Sequence, residues 1–194
     1  MKRDNNHKLK SLQDVFASSN LVDIVVVGGL VKEDAHWTVQ RIVGKDPIYL
    51  RFDTSIVKLF RLENVNGCEI QIQVCSQIEL PAPVYDDDPD CLEFKLVTYS
   101  VFDLVSSTKN AEYVSVSKCL GYCSKSDTQI VRALDLFLSS GFVCRFDPFS
   151  FDGMKLCLFS QRDVKPYRLE NEELVVYEFS RGLRGSAEGQ RPSS

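Results

Sequence analysis

Residues 21–31 read LVDIVVVGGLV, an apolar run interrupted only by Asp23 and the pair Gly28–Gly29. Valine and isoleucine are stiff at χ1 and favour an extended backbone. A run with no polar alternation has no solvent side, so it reads as a strand covered on both faces. At eleven residues it falls well short of the roughly 18 needed to span a bilayer. The two glycines mark a bulge or a sharp bend. A buried strand of this kind must find sheet partners, and its neighbours in sequence supply them.

HWTVQRIVG (36–44) alternates, with Trp37, Val39 and Val43 on one face and Thr38 and Gln40 on the other. IYLRF (48–52) alternates too, with Ile48, Leu50 and Phe52 inward and Tyr49 and Arg51 outward. SIVKLFRLEN (55–64), preceded by Asp53–Thr54, fits a short helix through Ile56, Leu59 and Phe60. CEIQIQV (68–74) follows the turn signal Asn66–Gly67 and alternates as a half-exposed strand. FKLVTYSVFDLV (94–105) favours strand by its aromatic and β-branched content, and EYVSVSK (112–118) alternates. In SDTQIVRALDLFLSSG (126–141), Ser126 and Gln129 form a capping box. Ile130, Leu134, Phe137 and Leu138 make an apolar stripe, and Gly141 stands at the stop, so a well-capped helix is expected at 126–140. GMKLCLFSQ (153–161) and EELVVYEFS (172–180) read as closing strands, and a short helix is expected from Ser11 to the Ser18–Ser19–Asn20 stop.

The expected fold class is α+β and β-rich. Strand, strand, strand, short helix, strand, with FKLVTYS as a fifth strand, resembles the OB-fold order over residues 21–105. That resemblance implies a small antiparallel barrel, or else a strongly bent sheet. Residues 1–10 read as a mobile tail, 11–181 as one globular domain and 182–194 as a disordered tail. The domain is divisible into lobes 11–80 and 91–181, joined by an acidic connector at 81–90.

Charge singles out that connector. Residues 79–94 hold six acids and no base, while the segments on either side are each close to neutral, so this stretch carries the net charge of −4. Neither flank has the excess of bases expected of a nonspecific polyanion binder. Prolines at 81, 83 and 89 stiffen the stretch. Three consecutive aspartates without a glycine bend do not match a calcium loop. Val84 and Tyr85 offer an apolar anchor ahead of Asp86, Asp87 and Asp88, so these five are the expected partner-docking residues.

No GxxxxGK[ST], GxSxG, HExxH or GxGxxG occurs, and the two histidines, His7 and His36, have no ligand or nucleophile at a recognised spacing. The expectation is a non-enzymatic chain with no catalytic residue, no metal and no cofactor. Cys119–Leu–Gly–Tyr–Cys123 is a C-x3-C pair, but no second pair has finger-like spacing. It reads as a strand-to-loop turn with buried or half-buried thiols. Seven scattered cysteines do not make a disulfide framework, and reduced thiols are expected. The N-terminal residues are polar with no apolar core to a leader, which points to nucleus or cytoplasm.

The favoured reading is therefore an adaptor or subunit of an intracellular multiprotein complex that works through protein contacts, in a complex that itself handles nucleic acid. A second reading is an OB-like binder of single-stranded nucleic acid, in which Tyr49 stacks on bases and Arg51, Arg41 and Lys45 neutralise phosphates. A third is a small viral accessory factor that antagonises a host protein. The expected partners are proteins, with nucleic acid as the second class and no membrane.

Overall fold

The computed structural model describes residues 7–33, 36–40, 47–65, 67–79, 94–101, 116–150 and 153–180. They form one helix, α1 (His7–Ser18), and eleven strands. The first six are β1 (Leu21–Glu33), β2 (His36–Gln40), β3 (Ile48–Phe52), β4 (Ile56–Asn64), β5 (Gly67–Cys75) and β6 (Phe94–Ser100). The remainder are β7 (Val116–Ser124), β8 (Val131–Leu138), β9 (Phe142–Ser150), β10 (Gly153–Ser160) and β11 (Leu174–Ser180). They divide into a six-stranded and a five-stranded sheet, and every pairing is antiparallel.

β1 organises the first sheet. Its Val25–Val31 stretch pairs with β6 on one edge. The opposite edge is shared, because β3 takes Leu21–Val26 and β2 takes Gly29–Glu33. The glycine pair thus sits where one edge partner gives way to the next. The sheet continues through β4 to β5, and β5 has no further partner among the described residues. A barrel needs its last strand to pair with its first. No closed barrel forms among the described residues, and the OB-like order is replaced by an open sheet.

Two expected helices are strands. Ile56–Asn64 is β4, paired along its length with β5 around a turn completed by Gly67 at φ 93. Val131–Leu138 is β8, the central strand of the second sheet, whose order is β10-β9-β8-β7-β11. The supposed capping box at Ser126–Gln129 belongs to the β7–β8 turn. There the Gln129 and Ile130 amides donate to Asp127, one to its side chain and one to its carbonyl, and the Ser124 amide donates to the Ile130 carbonyl. Gly141, at φ 87, closes the β8–β9 hairpin, where a left-handed residue after a tight turn keeps the strands in register. The apolar stripe arose because β8 is buried on both faces, so its side chains show no alternation to read. FVCRFDPFS, unassigned from sequence, is β9.

The two sheets share one core. Ile24, Leu50, Val57, Leu59 and Ile70 from the first meet Leu134, Leu136, Cys144 and Phe146 from the second. β5 lies across β8 and β9, and β4 against β10. α1 fills the remaining side. Its Leu9, Leu12 and Phe16, spaced three and four apart, are buried in the same cluster. The helix starts at His7, so Leu9, read as part of a polar tail, is a core residue. Phe16 meets Phe52 of β3 edge-on at 5.2 Å and Phe179 of β11 at 6.1 Å. Leu9 lies on Gly121 of β7, so closely that a Cβ there would come within 2.7 Å of Leu9 Cδ1. Gly121→Ala should therefore cost about 1–3 kcal/mol by overpacking. In a urea-unfolding cycle, Gly121→Ala combined with Leu9→Ala should cost less than the sum of the two single changes. Strict additivity would mean that the helix does not rest on this glycine.

Candidate functional site

Of the proposed nucleic-acid residues, Tyr49 and Arg51 are on the outer face of the first sheet. Alternation in β3 is as read: Ile48, Leu50 and Phe52 enter the shared core, and Tyr49 points to the other face. That face is covered, however. Tyr49 is fully buried against Val25, Val27, Ile56, Cys75 and Ile78. Its hydroxyl donates to the Glu79 carbonyl at 2.6 Å and accepts from the Glu79 amide at 3.1 Å. The ring has no free face on which a base could stack, although it is on the face that the alternation assigns to it. Arg51 is half-exposed, and its guanidinium lies 3.7 Å from the buried Asp23 carboxylate directly across the strands. Asp23 also accepts from the Ser100 hydroxyl and the Ile24 amide, each at 2.8 Å. Arg41 and Lys45, and the docking residues Val84, Tyr85, Asp86, Asp87 and Asp88, lie outside the described residues. The chain enters the acidic stretch at Glu79, the residue held by Tyr49.

The densest charged cluster is on the outer face of the second sheet, and sequence reasoning missed it. Asp135 of β8 is completely buried. Arg145, its direct partner on β9, donates to both carboxylate oxygens at 2.7 Å, and the Tyr122 hydroxyl donates to the same group at 2.9 Å. The guanidinium lies 5.3–5.9 Å from the ring centres of Tyr122, Phe159 and Tyr167. A strap after β10 closes over it. The Lys165 carbonyl accepts from Arg145 at 2.7 Å, and the Tyr167 hydroxyl donates to Asp147 at 3.0 Å. The charged groups are paired and bonded on every side, so the cluster fastens the strap to the sheet. The signal was an aspartate and an arginine inside apolar runs ten residues apart.

A second fastening joins the sheets. Arg132 of β8, 4% exposed, donates to the Cys68 carbonyl of β5 at 2.7 Å and grips Glu172 at 2.8 and 3.1 Å. The buried Glu69 of β5 accepts from Lys8 of α1 at 3.2 Å and from Gln71 at 2.7 Å. Cys119 and Cys123 both enter the core from within β7, not from a strand-to-loop turn. Four residues of strand separate them by about 13 Å, too far for one zinc ion with bonds of about 2.3 Å. Among the described residues no group of three or more His, Cys, Asp or Glu could hold a metal ion. No helix there is long and apolar enough to cross a membrane.

Seven large hydrophobics are exposed among the described residues, Leu62, Val65, Val74, Phe142, Phe149, Leu158 and Val176, and three of them lie on terminal strands. Val74 on β5, Leu158 on β10 and Val176 on β11 are 49%, 40% and 51% exposed. Each of these strands is terminal in its sheet among the described residues. Phe142, 41% exposed, lies beside Leu158 on the core-facing side of the β9–β10 hairpin.

Two outcomes follow for the polar cluster. Asp135→Leu or Arg145→Met alone strands a buried charge and should cost about 3–5 kcal/mol, while the double variant should recover most of that loss in urea unfolding. Burial, helped by the Asp135 carboxylate, pushes the Tyr122 phenol from 10.0 up to about 12. Burial pushes the Cys144 thiol from 9.0 up to about 12. Both protons are held more tightly in the folded chain, so this stabilisation is fully present below the unfolded values. It is lost as pH rises through 9 to about 12, where the unfolded state binds fewer protons. The urea midpoint should fall across that window, and Tyr122→Phe should flatten the part above pH 10; an unchanged midpoint would contradict the assignment. Compared with known proteins, the chain matches no protein family, no curated protein and no solved structure, and its function has to be read from its own geometry.

Proposed function

We propose that this chain is a non-enzymatic adaptor or subunit of an intracellular multiprotein complex and works through protein–protein contacts. The observation that carries this reading is the exposed large hydrophobic on each of three terminal strands, Val74, Leu158 and Val176. An open strand edge presents unpaired backbone donors and acceptors, which another polypeptide can complete. Apolar side chains at such an edge add the area that a partner would remove from water. The interior charges described above are engaged in fastening the strap, α1 and the two sheets to one another.

Stacking on nucleic acid loses support because Tyr49 is enclosed by its own sheet. Any involvement with nucleic acid is better placed in the complex as a whole than in this chain's first sheet. The test is purification of the tagged chain, at native abundance, from the cells that express it. The chain should elute well above its own 22.0 kDa with other chains at fixed stoichiometry. A monomer that brings down nothing in constant ratio would end the adaptor reading.

A further inference from the structure

We infer that the free edge of β10 receives an extended acidic segment of a partner protein as an added strand, one whose residues alternate acidic and apolar. This rests on the adaptor reading and names the chemistry of its partner. β10 pairs only with β9 among the described residues and contains no proline, so a row of its backbone groups faces outward, except the Ser160 carbonyl, which accepts from the Asp163 and Val164 amides. Strand addition satisfies that row, and the two faces of the sheet then select alternate side chains.

The two faces of the β10 edge differ sharply. On the core-facing side Leu156 packs on the shared core. Leu158, two residues on, shares that face, and Phe142 lies diagonally beside it. On the other side stand Phe159, over the Arg145 guanidinium, and therefore Cys157 and Lys155. The strap crossing that side exposes Arg162, Lys165 and Arg168. Between residues 155 and 168 there are four bases and a single acid, Asp163, in a chain whose net charge is −4. None of the four bases is in an ion pair among the described residues. An incoming strand would thus meet apolar side chains on one face and exposed cations on the other, with Asp147 opposite Lys155 and Glu170 on the strap as the nearby acids besides Asp163.

Other occupants fit less well. Nucleic acid cannot complete a strand edge, and the nearby rings of Tyr122, Phe159 and Tyr167 already surround Arg145. A second copy joined edge to edge would bring two sets of the same cations onto one face of the continuous sheet, which like-charge repulsion opposes.

The experiment uses the full chain and a labelled, end-capped octapeptide alternating glutamate and valine, followed by fluorescence polarisation at several salt concentrations. Binding should weaken as salt rises. It should fall at least tenfold for Lys155→Glu combined with Lys165→Glu, and for Leu158→Asp, provided circular dichroism shows both variants folded. An octapeptide alternating lysine and valine should bind at least tenfold more weakly. Equal binding of the two peptides, no binding at low salt, tighter binding of a single-stranded oligonucleotide, or concentration-dependent dimerisation that excludes the peptide would each overturn the inference. Purification of Lys155→Glu/Lys165→Glu from cells separates the two levels. If the variant keeps every stoichiometric partner, the edge is not the docking site although the adaptor reading stands; if the parent chain has no partner, the adaptor reading itself fails.

Discussion

Two sheets bury one face each against the other, and α1 packs into the same core. Leu9, Leu12 and Phe16 complete the apolar interior that neither sheet closes alone. Leu9 reaches its seat only because residue 121 has no side chain. Around that apolar contact are arranged bonds that fix direction: Lys8 to Glu69, and the His7 amide to the Gln129 side chain. The apolar area supplies most of the attraction, which has no preferred angle. The polar bonds choose one seating among several of similar area.

The same division of labour recurs at the two buried arginines. Arg145 holds the strap after β10 against the outer face of the second sheet, and Arg132 ties β8 to β5 and to Glu172. Both sit on neighbouring strands, one on each face. A bidentate guanidinium fixes orientation as well as distance. The second sheet is thus held from both sides through its centre, and its edges, β10 and β11, are left without a comparable fastening among the described residues.

Much of the first sheet was legible from sequence because half-covered strands keep a two-residue period. Ile48, Leu50 and Phe52 entered the core as that period requires. Other readings failed where both faces are covered, whereas β4, taken for a helix, is half-exposed and keeps the two-residue period at Val57 and Leu59. Tyr49 was assigned to the correct face, yet nothing local reveals that Ile78 and the Glu79 backbone fold over it. In β8 the spacing of Ile130, Leu134 and Leu138 imitates a helix because Ala133 and Asp135 are as deeply buried as their neighbours. Arg132 and Asp135 looked like the polar side of that helix, but their partners, Cys68, Glu172 and Arg145, are set by sheet pairing and not by sequence spacing. The proposed interaction surface was illegible for a related reason: an edge is defined by the partner a strand lacks, and only the assembled sheet shows which strands are last.

The seating of α1 also bears on how the chain is made. The helix lies near the start of the sequence, whereas two of its contacts, Gly121 and Phe179, come from the second sheet. That sheet is mostly a run of adjacent hairpins, whose closure involves short loops and is fast. During synthesis, which proceeds at about 5–20 residues per second, α1 emerges many seconds before β11 exists. Through that interval Leu9, Leu12 and Phe16 have no complete seat, and the nascent chain presents three unburied apolar side chains to whatever chaperone surface is nearest.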